Sequence, residues 1–338
     1  MTEIPAGPRA SPAALPQSPV WKGKGNGGIS MARYIIKRVI AAVISMFFLI
    51  TITFFLTRAI PGGPFSAGEQ KDLNPEIVEA IRARYGLDKS VFEQYLNYLG
   101  KLLQGDMGVS YKKVNYTVDE LIIGGFPASA QVGAVAIIVA LVIGIPLGIV
   151  AALKRGTWSD MVAMIIATIG ISIPTFVIAM LLMYQFCMKW GVLPNTGWGE
   201  MKHFILPVAC LCLAPIAHIT RLMRSSMLEV SRQDYVRTAR SKGVPEGKVI
   251  GKHMVRNAIL PVVTYLGPLV AALTTGSFAI ERLFMIPGIG RYFVNAVGDR
   301  DYTVIMGLTI FYGAFIMLCT LLVDIAYAII DPRVKLDQ

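Results

Sequence analysis

The residues able to do chemistry are few and poorly spaced for it. His203, His218 and His253 are scattered, and Cys187, Cys210, Cys212 and Cys319 fall inside or at the ends of apolar runs. Neither set has zinc-ligand spacing and no disulfide framework is readable, so the cysteines read as small hydrophobes. No serine, histidine and acid share a spacing with nucleophilic content. The chain has no GxxxxGK[ST] loop, and Gly288-x-Gly290 lacks the third glycine and the βαβ context of a dinucleotide site. Asp324 is the one acid well inside an apolar run, where carboxylates are costly and are functional candidates by default. It stands seven residues before Asp331-Pro332-Arg333, about 10 Å along a helix. That distance favours pairing with a basic residue near the interface over a proton relay.

What remains is docking chemistry. Between two apolar runs, Asp234 to Thr264 carries Arg237, Arg240, Lys242, Lys248, Lys252 and Arg256 against Asp234 and Glu246, with Arg232 just before. Tyr235–Lys242 reads as a short helix that stops at Gly243. Pro245 and Glu246 then stand where an N1 proline and a first-turn acid open a second helix. A polar helical hairpin between two membrane spans offers a surface to something in the cytosol, which points to coupling rather than catalysis.

The elements holding that hairpin follow from composition. The 338 residues are 54% hydrophobic and 16% charged, against about 25% charged in soluble domains. Six runs are long enough to cross a bilayer core, which takes about 20 residues each: Val39–Leu56, Ala128–Leu153, Met161–Met188, Phe204–Leu222, Ala258–Ile280 and Thr303–Ile330. The net charge of +11 could suggest nucleic acid, but its distribution is orderly. Lys and Arg precede the first span and then follow every second one, as the positive-inside rule requires, so both termini are expected in the cytoplasm and no nucleic-acid partner is implied. Membrane lipid headgroups are the incidental anionic partners.

Residues 1–30, rich in Pro, Gly, Ser and Ala without apolar periodicity, read as a disordered cytoplasmic tail. The membrane-spanning body is then 31–338, with an acid-richer outer loop over 57–127 and the cytoplasmic loop over 224–257. The first span is too long for a signal-peptide core and no A-x-A-like site follows, so it reads as a retained anchor. In the outer loop, Asn74-Pro75-Glu76 opens one helix that ends at Gly86, and Ser90-x-x-Glu93 is a capping box for a second. Pro146, Pro174, Pro207, Pro215, Pro261 and Pro268 each remove a backbone donor and can kink a span.

At Asp234–Gly243, DYVRTARSKG, the sequence resembles the permease subunits of binding-protein-dependent ABC importers, in their dipeptide, oligopeptide and nickel branch. The family's cytoplasmic loop is named for Glu-Ala-Ala followed by glycine. Here Arg237-Thr238-Ala239 takes those positions and Gly243 supplies the glycine, while Leu260-Pro261 comes later than the general pattern has it; both departures resemble the peptide branch. Ile60-Pro61-Gly62-x-Pro64, Tyr85-Gly86-Leu87-Asp88-Lys89, Gly105-Asp106-Met107-Gly108, Gly144-Ile145-Pro146-Leu147-Gly148, Glu281…Phe284…Pro287-Gly288-x-Gly290 and Asp331-Pro332-Arg333 extend the likeness in order.

The resemblance implies an all-α integral membrane protein of the type I ABC importer permease fold: six transmembrane helices, a small helical extracytoplasmic region and a cytoplasmic coupling helix. It implies a multi-pass protein of a bacterial or archaeal inner membrane. A second homologous permease, two cytoplasmic ATPase subunits and an external solute-binding protein are the partners it implies. The chain itself holds no cofactor, ATP and Mg being held by the ATPases. ATPase coupling then falls to Asp234, Tyr235, Val236, Arg237, Thr238, Ala239, Arg240, Ser241, Lys242 and Gly243. The substrate expected is a peptide, with nickel or another small solute as the alternative. An ion-driven transporter is the rival from another class, and it would need inverted repeats and midplane ionisable groups.

Overall fold

The computed structural model describes residues 27–59, 79, 83, 85–113 and 115–330. Every regular element among them is helical. In chain order these are α1 (Gly27–Ala59), α2 (Val91–Leu103), α3 (Val118–Leu153), α4 (Trp158–Ser172), α5 (Thr175–Leu182, extended by wide π-helical turns over Met183–Lys189) and α6 (Met201–Val230). Then come α7 (Asp234–Ser241), α8 (Leu260–Thr274), α9 (Phe278–Leu283), α10 (Ile289–Asp299) and α11 (Tyr302–Ile330).

Among the described residues, five stretches are long and apolar enough to span a bilayer: Ile35–Ala59, Val118–Leu153, Met201–Val230, Leu260–Leu283 and Tyr302–Ile325. A sixth, expected as one run over Met161–Met188, is broken. Its two halves, α4 and α5, meet at Ile173-Pro174 with a bend of 100°. The cause is local: Pro174 has no N–H to donate and pushes Ile173 into an extended conformation (ψ 126°). Pro146, Pro207 and Pro215 instead stay inside continuous helices, as prolines can in membrane helices where neighbours re-satisfy the freed backbone groups. The fifth span is also interrupted, α8 ending at Thr274 before α9 resumes at Phe278, and α3 starts ten residues before the expected Ala128.

The centre of the fold is the long contact between α3 and α6, flanked by α8, α11 and α4. It is close because α3 presents glycine there: a Cβ at Gly148 would stand 2.6 Å from the Met223 Cβ and 2.7 Å from the Thr220 carbonyl oxygen. At the N-terminal end of α3 Glu281 of α9, buried, gathers the elements. It accepts hydrogen bonds from Ser129 Oγ of α3 (2.7 Å) and from the Gly290 N–H that opens α10 (2.7 Å). Gly276, Gly288 and Gly290 leave no room for a Cβ beside that carboxylate, which gives the Glu281…Pro287-Gly288-x-Gly290 pattern a packing reason.

In the outer region the Ser90–Glu93 capping box is formed in both directions. Of the helix expected to open at Asn74, nearly all lies outside the described residues, and Gly86 turns the chain at φ 67°. Asp301, buried, ties that region down: its Oδ2 accepts from the Ser110 hydroxyl and the Tyr111 and Lys112 N–H groups, while Oδ1 accepts from Val304 N–H at the start of α11. The expected tail, 1–30, lies outside the described residues up to Gly27, from which α1 is already helical.

Candidate coupling site

The ten residues singled out in the sequence stand together. Asp234–Ser241 form α7, Lys242 caps it, and Gly243 reverses the chain at φ 74°. Gly243 N–H donates to the Arg240 carbonyl (2.9 Å) and Val244 N–H to the Ala239 carbonyl (3.2 Å), so the last carbonyls of α7 are satisfied by the turn itself. The helix has two unlike faces. Val236 is fully buried and Ala239 nearly so. Asp234, Tyr235, Arg237, Thr238, Arg240, Ser241 and Lys242 are exposed.

The second limb departs from the expected helix. Pro245 leads into a short turn, Glu246–Lys248, and then into π-helical turns over Val249–Val255 before Arg256–Ala258 runs into α8. Widened turns suit a segment that must keep Val249, Met254 and Ala258 turned inward, where they share one apolar cluster with Val236, Ala239, Met223 and Met227. Sequence reading missed these anchors; the apolar spacing within the basic loop was the signal that could have found them. α7 is thus seated by its buried face on the limb that leads into α8, and that limb in turn packs against the C-terminal end of α6.

Two polar links complete the hairpin. Arg240 clamps Glu246 with Nη2 at 2.6 Å and Nε at 3.2 Å. That bond raises the arginine's pKa further and holds the Glu246 carboxyl below the usual carboxylate range. Asn257 Nδ2 donates to Tyr235 Oη (2.8 Å), tying the exposed ring to the return limb. Around them Arg232, Arg237, Lys242, Lys248, Lys252 and Arg256 are all exposed, making a basic, hydrogen-bond-rich surface on an apolar footing.

Asp324 faces a basic side chain. Its Oδ2 stands 3.2 Å from Nη2 of Arg38 on α1, yet accepts no aligned hydrogen bond. The contact is an ion pair by distance only. A second pair, unforeseen in the sequence, is better built: Arg224 of α6 grips Asp160 of α4 through Nε (2.6 Å) and Nη2 (2.8 Å), and Asp160 also accepts the Gly156 N–H. Asp160 is buried, so this fork fixes the start of the bent α4–α5 unit to the same end of α6 that the limb under α7 packs against. No group of three or more His, Cys, Asp or Glu side chains among the described residues could hold a metal ion.

The surroundings of this hairpin are shared with known proteins. Residues 144–336 match the family described as binding-protein-dependent transport system inner membrane component, and residues 31–124 match the N-terminal family of the same membrane components. The dipeptide transport system permease protein DppB of Bacillus subtilis is 45% identical over 308 residues, covering 91% of this chain and 99% of that protein. The oligopeptide transport system permease protein OppB of Salmonella typhimurium is 42% identical over 307 residues, covering 90% and 100%. A solved structure of the MetNI methionine ABC transporter in inward-facing form superposes with a TM-score of 0.50 at 15% identity, covering 62% of this chain and 96% of that chain, which supports the fold. The chain belongs to the inner-membrane permease components of binding-protein-dependent ABC importers.

Proposed function

We propose that this permease forms one half of the path by which an ATP-driven importer brings dipeptides or oligopeptides into the cell, with α7 as its coupling helix. The named relatives, alike over nearly their whole length, support the peptide assignment. The observation that carries the coupling role is the division of α7 into a buried apolar face, Val236 and Ala239, and an exposed basic and hydroxylic face. A helix seated that way can be gripped from outside and pass the push to α6 and α8. The cytosolic partners are two ATPase subunits that bind ATP and Mg; a second homologous permease completes the path, and an external binding protein delivers the peptide. Both termini face the cytoplasm, as the basic residues at Arg33, Lys154, Arg155 and the hairpin support.

The test is purification followed by transport. The permease, isolated with its neighbours intact, is expected to carry a second permease and two ATPases, and in proteoliposomes with the binding protein to take up labelled peptide only with ATP. Uptake driven by an ion gradient without ATP, or isolation without ATPases, rules this reading out. Uptake of nickel but not peptide would keep the machine and replace its cargo.

A further inference from the structure

We infer that α2, the outer helix over Val91–Leu103, is an amphipathic anchor that lies in the outer leaflet of the bilayer, with acyl chains as the partner of its second apolar stripe. One stripe, Tyr95, Tyr98 and Leu102, packs inward on Phe54 and Ile50 of α1 and Met306 of α11. The turn beside it, spaced i, i+4 and i+11, carries Phe92, Leu96 and Leu103. These three are bare: 62%, 52% and 89% exposed. The opposite side is polar and exposed, with Glu93, Asn97, Lys101 and Gln104. A helix wholly in water has no use for a second apolar stripe, whereas one at the edge of hydrocarbon does.

Its depth can be read from what it touches. Arg58, in the last turn of α1, donates from Nε to Gln94 Oε1 (3.1 Å), and the Tyr95 hydroxyl reaches Thr51 Oγ1 (2.7 Å). Thr51 is seven residues inward of Arg58, about 10 Å down the helix. The first turns of α2 therefore sit beside the outer end of the apolar run of α1, not above it. Phe92 meets Tyr95, and Tyr95 meets Phe55, so the bare stripe continues into the exposed apolar face of α1 at Ile52, Phe55 and Leu56. That face belongs to a stretch long and apolar enough to span a bilayer, and the stripe extends it sideways. The capping box pairs two backbone donors at the start of α2, the Ser90 and Glu93 N–H groups.

The choice of the outer leaflet rests on the topology proposed above; the immersion does not. The experiment places a nitroxide on single cysteines in the assembled transporter, reconstituted in phosphatidylcholine and phosphatidylglycerol vesicles, with the four native cysteines replaced. Phe92→Cys, Leu96→Cys and Leu103→Cys should be more accessible to oxygen than to a water-soluble nickel chelate, and Asn97→Cys and Gln104→Cys the reverse. Stripe sites open to the chelate, or closed to both reagents because the second permease or the binding protein covers them, overturn the inference. If the cysteine-free protein does not assemble, a phospholipid carrying a diazirine on its acyl chain, photolysed with the unaltered transporter, gives the same decision. Adducts on Phe92–Leu103 are expected, and their absence beside adducts on α1 is the contrary result. A membrane-impermeant thiol reagent at Asn97→Cys in intact cells reports the side separately: labelling only after permeabilisation would overturn the topology and leave the immersion standing.

Discussion

Gly243 has no heavy atom within 4 Å of where a Cβ would stand, but its φ is 74°. A substitution there meets backbone strain and no clash. Gly243→Val should therefore cost about 1–3 kcal/mol locally, tilting α7 while the spans, far from the turn, still assemble. Peptide uptake should fall much further than membrane level, and ATP hydrolysis should become weak or indifferent to substrate; normal uptake and substrate-stimulated hydrolysis would make Gly243 an ordinary loop residue. The Arg240–Glu246 clamp gives a pH prediction. Glu246 has a folded pKa below its ordinary value, so its contribution is present above that value and lost as pH falls through the folded one. At neutral pH Glu246→Gln should speed amide exchange across 240–246, and the two proteins should converge only once pH has fallen below the lowered pKa of the folded Glu246. The pair is exposed, so the difference will be small and salt-sensitive. For Asp324, an ion pair without an aligned hydrogen bond is a packing feature. Asp324→Asn should leave ATP-driven uptake largely intact, and abolished uptake at normal assembly and abundance would instead assign the carboxylate a transport role.

Elements were legible where local chemistry decided them. The Ser90–Glu93 box and its apolar spacing announced α2, and the structure forms both bonds of the box. Ser90→Ala should cost about 0.5–2 kcal/mol of helix stability, seen as faster exchange over the first turn of α2 with the spans unchanged; uniform rapid exchange along α2 in the unaltered complex would contradict a folded outer region. Gly243, Pro245 and the helix between them and Gln233 were legible for the same reason, since caps and breakers act within a few residues. What the sequence could not disclose was decided by contacts far along the chain. Six proline positions looked alike, yet only at Pro174 does a span break by 100°, because nothing in local propensity tells a proline held straight by neighbours from one left to bend. The wide turns over Val249–Val255 are likewise a tertiary choice: Val249, Met254 and Ala258 must all reach the cluster under α7. Asp160 and Arg224, 64 positions apart, form a bidentate ion pair on a buried carboxylate near the C-terminal end of α6, and neither residue's neighbours in sequence mark it.

At the scale of the whole molecule the hairpin, α6, α4 and α8 share one footing. Val236 and Ala239 share one apolar cluster with Met223, Met227, Val249 and Met254, the return limb packs against both α7 and α6, and the Asp160–Arg224 fork holds the start of α4 to α6. Under the coupling role proposed above, a push on α7 would travel through packed side chains, which resist deformation and move as a body. The footing and the gripping face can be separated by mutation. Val236→Ala removes two buried methyl groups and should cost roughly 2 kcal/mol. Val236→Asp places an unpaired charge in the cluster, at about 3–5 kcal/mol, enough to lift α7 from its seat. The exposed face that an ATPase would hold is unchanged in both. Co-purification of the ATPases should therefore survive, amide exchange over 234–241 should rise, and peptide imported per ATP hydrolysed should fall, more for Asp than for Ala. Unaltered stoichiometry in Val236→Asp, with exchange over α7 raised as expected, would show that the hairpin works as a loose tether and that the motion enters the spans elsewhere.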